Sequence, residues 1–149
     1  MPEDIESKLL ATFASVASAI GYSEVHGRII AALIVAQKPL SLQELAKKTS
    51  YSLAAISLSL DLLELVGIVR KVKNQNDRKL YAKLEGDVIE GLRNALILKV
   101  QKEIFSTLAE FERYKSDAKM KPVIASLEQE IERLGKYVDE LSKVQIPKK

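Results

Sequence analysis

Between Ser41 and Lys83 the local signals follow one another with almost no slack. Ser41-Leu42-Gln43-Glu44 has the S-x-x-E form of a capping box, in which the serine and the glutamate satisfy each other's backbone donors. It predicts a short helix over about 42–48, with Leu42, Leu45 and Ala46 facing inward. Thr49-Ser50-Tyr51-Ser52 reads as a turn, and Ser52 can cap a second helix over about 53–66. Gly67 follows as a left-handed C-cap. Side chains then alternate from Ile68 to Val72 and again from Arg78 to Leu84, around the turn-forming Asn74-Gln75-Asn76-Asp77. Helix, turn, helix and hairpin in that order make a helix-turn-helix with a wing.

The placement of charge and apolar groups adds a chemical reading. If Ile56 is buried, Leu60 and Leu63 fall on the same side of the second helix. Ala54, Leu58 and Asp61 then point away, with Ala55 and Ser57 on the flanks. Net charge is only +3, so the global balance says little about a polyanion. The local balance says more: Arg70, Lys71, Lys73, Arg78, Lys79 and Lys83 face Asp77 alone within residues 68–83. A basic hairpin after a helix-turn-helix fits double-stranded DNA, with the second helix in the major groove and the wing on the backbone and minor groove. The candidate DNA-binding residues are Ser41, Ser50, Ser52, Ala54, Ala55, Ser57, Leu58, Arg70, Lys71, Lys73, Asn76, Arg78 and Lys79. Asp77 is expected to orient Arg78. An ordinary helical hairpin and a solvated, charge-protected edge strand also fit this pattern. Leu53 and Leu58 on the nominal reading face favour a different partner, a protein docked on a winged-helix module.

The flanking segments look like support. Residues 3–20 place Ile5, Leu9, Phe13, Val16 and Ile20 at spacings of 4, 4, 3 and 4, one apolar stripe on a helix started by Pro2, Glu3, Asp4 and Glu6. A helix over about 24–36, capped by Ser23, carries Val25, Ile29, Ile30, Leu33 and Ile34 and stops at Lys38-Pro39. A long helix over about 87–116 presents Leu92, Leu96, Val100, Phe105, Leu108 and Phe111. At 1.5 Å per residue it spans about 45 Å, too long for a full partner within a small domain. After Lys121-Pro122, residues 122–143 carry Ile124, Leu127, Ile131, Leu134, Val138 and Leu141 in an a/d heptad stripe. The expected class is mainly α with a small β-hairpin. The expected organisation is an N-terminal helix (1–20), a winged helix-turn-helix domain (21–86) and a C-terminal helical dimerisation arm (87–146). The uncovered apolar stripes predict a homodimer.

Other functions find no support in the residues. With no cysteine there is no disulfide, no thiolate chemistry and no thiol-based redox sensing. His26 is the only histidine, so a packing role is expected and no metal or other cofactor is implied. No carboxylate pair on an apolar face, Gly-rich phosphate loop or nucleophile elbow points to an enzyme. The acidic N-terminus is not a signal peptide and no run of about 18 apolar residues occurs, so a cytoplasmic protein without a membrane span is expected.

The run from Gly21 to Leu84 resembles the MarR superfamily of winged-helix transcription regulators, and within it the GbsR-like branch. Gly27-Arg28-Ile29, Leu42, Leu45-Ala46, Ser52, Ile56-Ser57, Leu60, Leu63-Glu64, Gly67-Ile68-Val69, Asp77-Arg78-Lys79 and Tyr81 carry the resemblance. It implies a homodimer presenting two recognition helices to a pseudo-palindromic site, and a small-molecule effector of unidentified chemistry. The chain departs from the superfamily pattern where a cation often follows the cap and the second serine: here stand Leu53 and Leu58. Arginine–guanine readout from this helix is therefore unavailable, while Leu58 can touch a thymine methyl.

Overall fold

The computed structural model describes residues 4–149. It divides into two compact units, one ending at Leu92 and the other running from Arg93 to Lys149. The elements are α1 (Ile5–Ala19), α2 (Glu24–Ala36), β1 (Leu40–Ser41), α3 (Leu42–Thr49), α4 (Leu53–Leu65), β2 (Val69–Lys73), β3 (Leu80–Leu84), α5 (Val88–Tyr114) and α6 (Lys121–Leu141).

In the first unit, Asp4 caps α1 by accepting from the Glu6 amide at 3.1 Å. Pro2 and Glu3, also expected to start this helix, lie outside the described residues. The apolar stripe expected to pack is not the face that packs. Leu10, Ala14 and Ala17 are buried, whereas Ile5, Leu9, Val16 and Ile20 are exposed, Ile5 by 64% and Val16 by 60%. The reason is close approach between α1 and α2. A Cβ on Gly27 would stand 2.9 Å from the Ala14 Cα and 2.9 Å from the Ala17 Cβ. At that crossing Gly27 meets the small Ala14 and Ala17, Leu10 is also buried, Phe13 of the expected stripe is half-buried, and its other members turn outward. In α2, Ile29, Ile30 and Leu33 are buried as expected, joined by Ala31 and Ala32, while Ile34 is exposed.

The unit is organised around side chains with no exposure at all: Ile29, Ile30, Leu40, Leu45, Ile56, Leu60, Leu63 and Ile68. They come from α2, β1, α3, α4 and the strand entry, so the helix-turn-helix is anchored on both sides of its turn. Gly67, at φ 83°, ends α4, and Ile68 donates its amide to the Leu63 carbonyl at 2.9 Å. That reversal delivers the chain directly into the wing. The sheet has three antiparallel strands in the order β1-β3-β2. The third strand, beyond the two expected of a hairpin, leaves no signature in the sequence because two residues, Leu40 and Ser41, are too few to show alternation. They pair with Ala82 and Tyr81 and fasten the wing's base to the entry of α3.

The second unit is an antiparallel helical pair. Gln101 donates to Asp139 at 3.1 Å, Lys115 bridges Glu112 and Glu128 at 2.9 Å each, and Gly135 lies 3.9 Å from the Ile104 Cδ1 when a Cβ is built on it. The heptad stripe of α6 splits into two rows. Ile124 and Val138 are buried and Ile131 half-buried, whereas Leu127, Leu134 and Leu141 are exposed. One row serves the pair and the other faces out.

Candidate nucleic-acid interface

The turn between α3 and α4 is built from hydroxyls. Ser41 Oγ accepts from the Glu44 amide at 3.1 Å, and Glu44 Oε1 accepts from the Ser41 amide at 3.2 Å, completing the capping box. Ser41 is only 2% exposed. It serves the fold and, contrary to the expectation, its hydroxyl is not presented to DNA, because a buried cap cannot reach a phosphate. Ser50 sits at φ 64° as the left-handed end of α3 and is exposed. Ser52 caps α4 by accepting from the Ala55 amide at 3.1 Å, leaving its own hydroxyl hydrogen to donate.

Helix α4 buries Ile56, Ser59, Leu60 and Leu63, as the spacing predicts. Leu53, Ala54, Ser57, Leu58 and Asp61 face outward, with Ala55 half-buried. Leu58 is 74% exposed and Leu53 49%. Ser59, not singled out in the sequence, is hydrogen-bonded to Nδ1 of His26 on α2. The lone histidine therefore ties α4 to α2. No short-range signal could find a pair 33 residues apart. Arg28 spends its guanidinium on Glu24 of its own helix, at 2.9 and 3.1 Å.

The wing separates its cations by strand register. Val69, Lys71 and Lys73 of β2 share a face with Leu84, Ala82 and Leu80 of β3, the face that carries the buried Val69 and Ala82. Arg70, Val72, Tyr81 and Lys83 occupy the other face. Lys71 is thereby turned toward α4. Its amide donates to Glu64 at 2.9 Å, and its ammonium group bonds Asp61 and approaches Glu64 at 3.6 Å. The hydrogen bond to Asp61 raises its pKa. Lys71 is thus a counterion for both carboxylates of α4 and not the free phosphate-binding cation expected from the sequence. Arg70 is exposed and lies 3.7 Å from Glu85. Lys73, Asn76, Arg78 and Lys79 are exposed. Lys73, Arg78 and Lys79 form no salt bridge among the described residues, and Lys73 and Arg78 line a hollow of about 440 Å³ with Asn74 and Gln75.

The wing's turn is fixed by its backbone. Asn74 donates its amide to the Lys79 carbonyl at 2.9 Å, and Arg78 donates to the Asn74 carbonyl at 2.8 Å. Arg78 takes φ 58°, a left-handed conformation that glycine or asparagine adopts more easily. Contrary to the expectation, Asp77 does not orient Arg78. Its carboxylate accepts from the Tyr81 hydroxyl at 2.6 Å and the Lys79 amide at 2.9 Å. The Tyr81 hydrogen bond holds the Asp77 carboxyl below its ordinary pKa and pushes the Tyr81 phenol up. The arginine is placed by the turn, and the aspartate holds the turn to β3.

A polar hollow of about 480 Å³ lies between α1 and α3, lined by Asp4, Glu6, Lys47, Lys48 and Ser50 among others, and bridged by Lys48 and Glu6 at 2.7 Å. Among the described residues no group of three His, Cys, Asp or Glu side chains is placed to hold a metal ion. No described helix is long and apolar enough to cross a membrane.

No protein-family model matches the chain, and no curated protein sequence does. Solved structures do. A crystal structure of a transcriptional regulator aligns with 94% of this chain and 97% of its own, with a TM-score of 0.66 at 15% identity. AbsC, a MarR family transcriptional regulator from Streptomyces coelicolor, aligns over 84% of this chain and 88% of its own (TM-score 0.46, 21% identity). BldR, a transcriptional regulator from Sulfolobus solfataricus, aligns over 85% and 84% (TM-score 0.44, 20% identity). The first alignment, over nearly the whole of both chains, establishes that this chain has the mostly helical, winged-helix fold of a solved transcriptional regulator.

Proposed function

We propose that this chain is a MarR-superfamily transcription regulator that binds double-stranded DNA as a homodimer in the cytoplasm. In this reading α4 enters the major groove and the wing from Arg70 to Lys83 follows the backbone into the adjacent minor groove. The observation that carries it is the division of charge around α4. Lys71 neutralises Asp61 and Glu64, the carboxylates that would repel phosphates, while Lys73, Arg78 and Lys79 stay exposed on the wing. A hairpin that used its cations merely for solubility would not need the internal counterion. Residues 21–86 would be the reading domain, and 1–20 and 87–146 the dimerisation segments. The outward stripes Ile5, Leu9, Val16 and Ile20 on α1, and Leu127, Leu134 and Leu141 on α6, support pairing, because apolar rows of that length are seldom left in water.

The test is fluorescence anisotropy with duplexes from the chain's own upstream DNA, beside sedimentation equilibrium of the protein alone. A dimer that binds duplex at low salt is expected. A monomer, or no binding at low salt, would sink the proposal. A second reading, a winged-helix module that docks a protein, is favoured by the exposure of Leu53, Leu58 and Leu65 on α4. It predicts no duplex binding at any salt.

A further inference from the structure

The outward face of the first two turns of α4 has an unusual chemistry for a reading surface. It presents Leu53, Ala54, Ser57 and Leu58, and no cation or amide. Direct readout of guanine needs a paired donor such as Arg, and readout of adenine needs Asn or Gln. Neither exists between Leu53 and Leu65. Of the groups that the four bases expose in the major groove, the thymine 5-methyl is the apolar one. Leu58 is 74% exposed on this face.

We propose that α4 reads thymine through its 5-methyl group, with Leu58 as the specificity-determining residue and Leu53 and Ala54 completing the apolar contact. The site would therefore hold A·T pairs with thymine on a fixed strand where Leu58 touches it. This rests on the duplex-binding reading above. The occupant is argued from charge. The leucines share α4 with Asp61 and Glu64, the acidic groups that Lys71 of the basic wing holds. A phosphate backbone complements that frame, whereas an apolar protein surface would have to desolvate it. The hydroxyls of Ser52 and Ser57 are indifferent donors or acceptors and leave the base choice to the methyl contact.

The experiment selects duplexes from a random library with the full chain, then remakes the best site with uracil for thymine, which removes only the methyl group. Uracil at the contacted position is expected to weaken binding about four-fold per lost methyl contact. Leu58→Ala should bind the thymine duplex more weakly and lose the thymine–uracil difference. Its fold should be unaffected, since Leu58 is exposed, and a thermal melt checks that. Equal affinity of the unaltered chain for the two duplexes overturns methyl reading while leaving duplex binding intact. A thymine–uracil difference that persists in Leu58→Ala overturns the assignment to Leu58. Failure to enrich or bind any duplex at low salt overturns the duplex reading itself and leaves the leucines to a protein partner.

Discussion

Replacing Arg78 by Gly should move stability and DNA binding in opposite directions. The arginine holds φ 58° at the end of the wing's turn, pinned by Asn74-to-Lys79 and Arg78-to-Asn74 hydrogen bonds. For an L-residue the left-handed region costs about 1–2 kcal/mol. Glycine removes that cost but adds chain entropy to the unfolded state, worth about 0.4–1 kcal/mol. The net is a gain of about 0–1.5 kcal/mol, which for a chain of this length raises the melting temperature by up to about 5 °C. If the guanidinium meets a phosphate, as proposed, losing it should make the slope of log K against log salt shallower by about 0.9 per wing. Between 50 and 200 mM salt that alters the affinity ratio by about 3.5-fold per wing. Arg78→Lys keeps both the charge and the backbone cost, so it should retain most of the slope without the gain in stability. Calorimetry and anisotropy titrations at several salt concentrations check the pair. A glycine variant that melts lower by several degrees would refute the strain argument. An unchanged salt slope would refute the phosphate contact.

Lys71→Met should weaken duplex binding by exposing Asp61 and Glu64, yet leave the salt slope within about half a unit, because Lys71 is a counterion and not a phosphate ligand. Its melting temperature should fall little, each exposed pair being worth about 0.2–1 kcal/mol; a slope that falls by a full phosphate contact would contradict the assignment. Tyr81→Phe should return the Asp77 carboxyl toward its ordinary pKa, as read by carboxyl-carbon NMR titration. Because the folded value is depressed, the stabilisation of the wing by Asp77 is present above the ordinary aspartate range and is lost as pH falls through the lowered value. An unmoved Asp77 midpoint in Tyr81→Phe would exclude the hydrogen bond as its main cause. Gly27→Ala adds a Cβ 2.9 Å from the Ala14 backbone. Overpacking of about 1–3 kcal/mol should exceed the helix-propensity gain of about 1 kcal/mol, and a higher melting temperature would show that α1 and α2 do not cross as closely as described.

The helix-turn-helix and its wing were legible because each boundary is set locally. Ser41 with Glu44, Ser52 with Ala55, and Gly67 act within a few residues of themselves, and Ile56, Leu60 and Leu63 need only helical spacing. The packed face of α1 was not legible. Both Ile5/Leu9/Val16/Ile20 and Leu10/Ala14/Ala17 have helical spacing, and the choice falls to Gly27 on another helix. Hydrophobicity favours the larger side chains, whereas close approach to Gly27 selects Ala14 and Ala17 at the crossing. In the site, the wing was identified by its charge, but charge density does not reveal direction. Strand parity turns Lys71 toward Asp61 and Glu64 and Arg70 to the other face, near Glu85. The His26–Ser59 bond lay beyond any local pattern for the same reason. Asp77 was assigned to its sequence neighbour Arg78, but the hairpin places it against Tyr81.

Whether the wing supplies the affinity for duplex is decided by the salt dependence of binding, measured for the unaltered chain beside a variant with Lys73→Gln, Arg78→Gln and Lys79→Gln. Six wing cations in a dimer predict a slope of log K against log salt of about −5, and the variant should lose most of it. A slope near zero for the unaltered chain, or one that the three substitutions leave unchanged, would contradict the wing as the source of affinity.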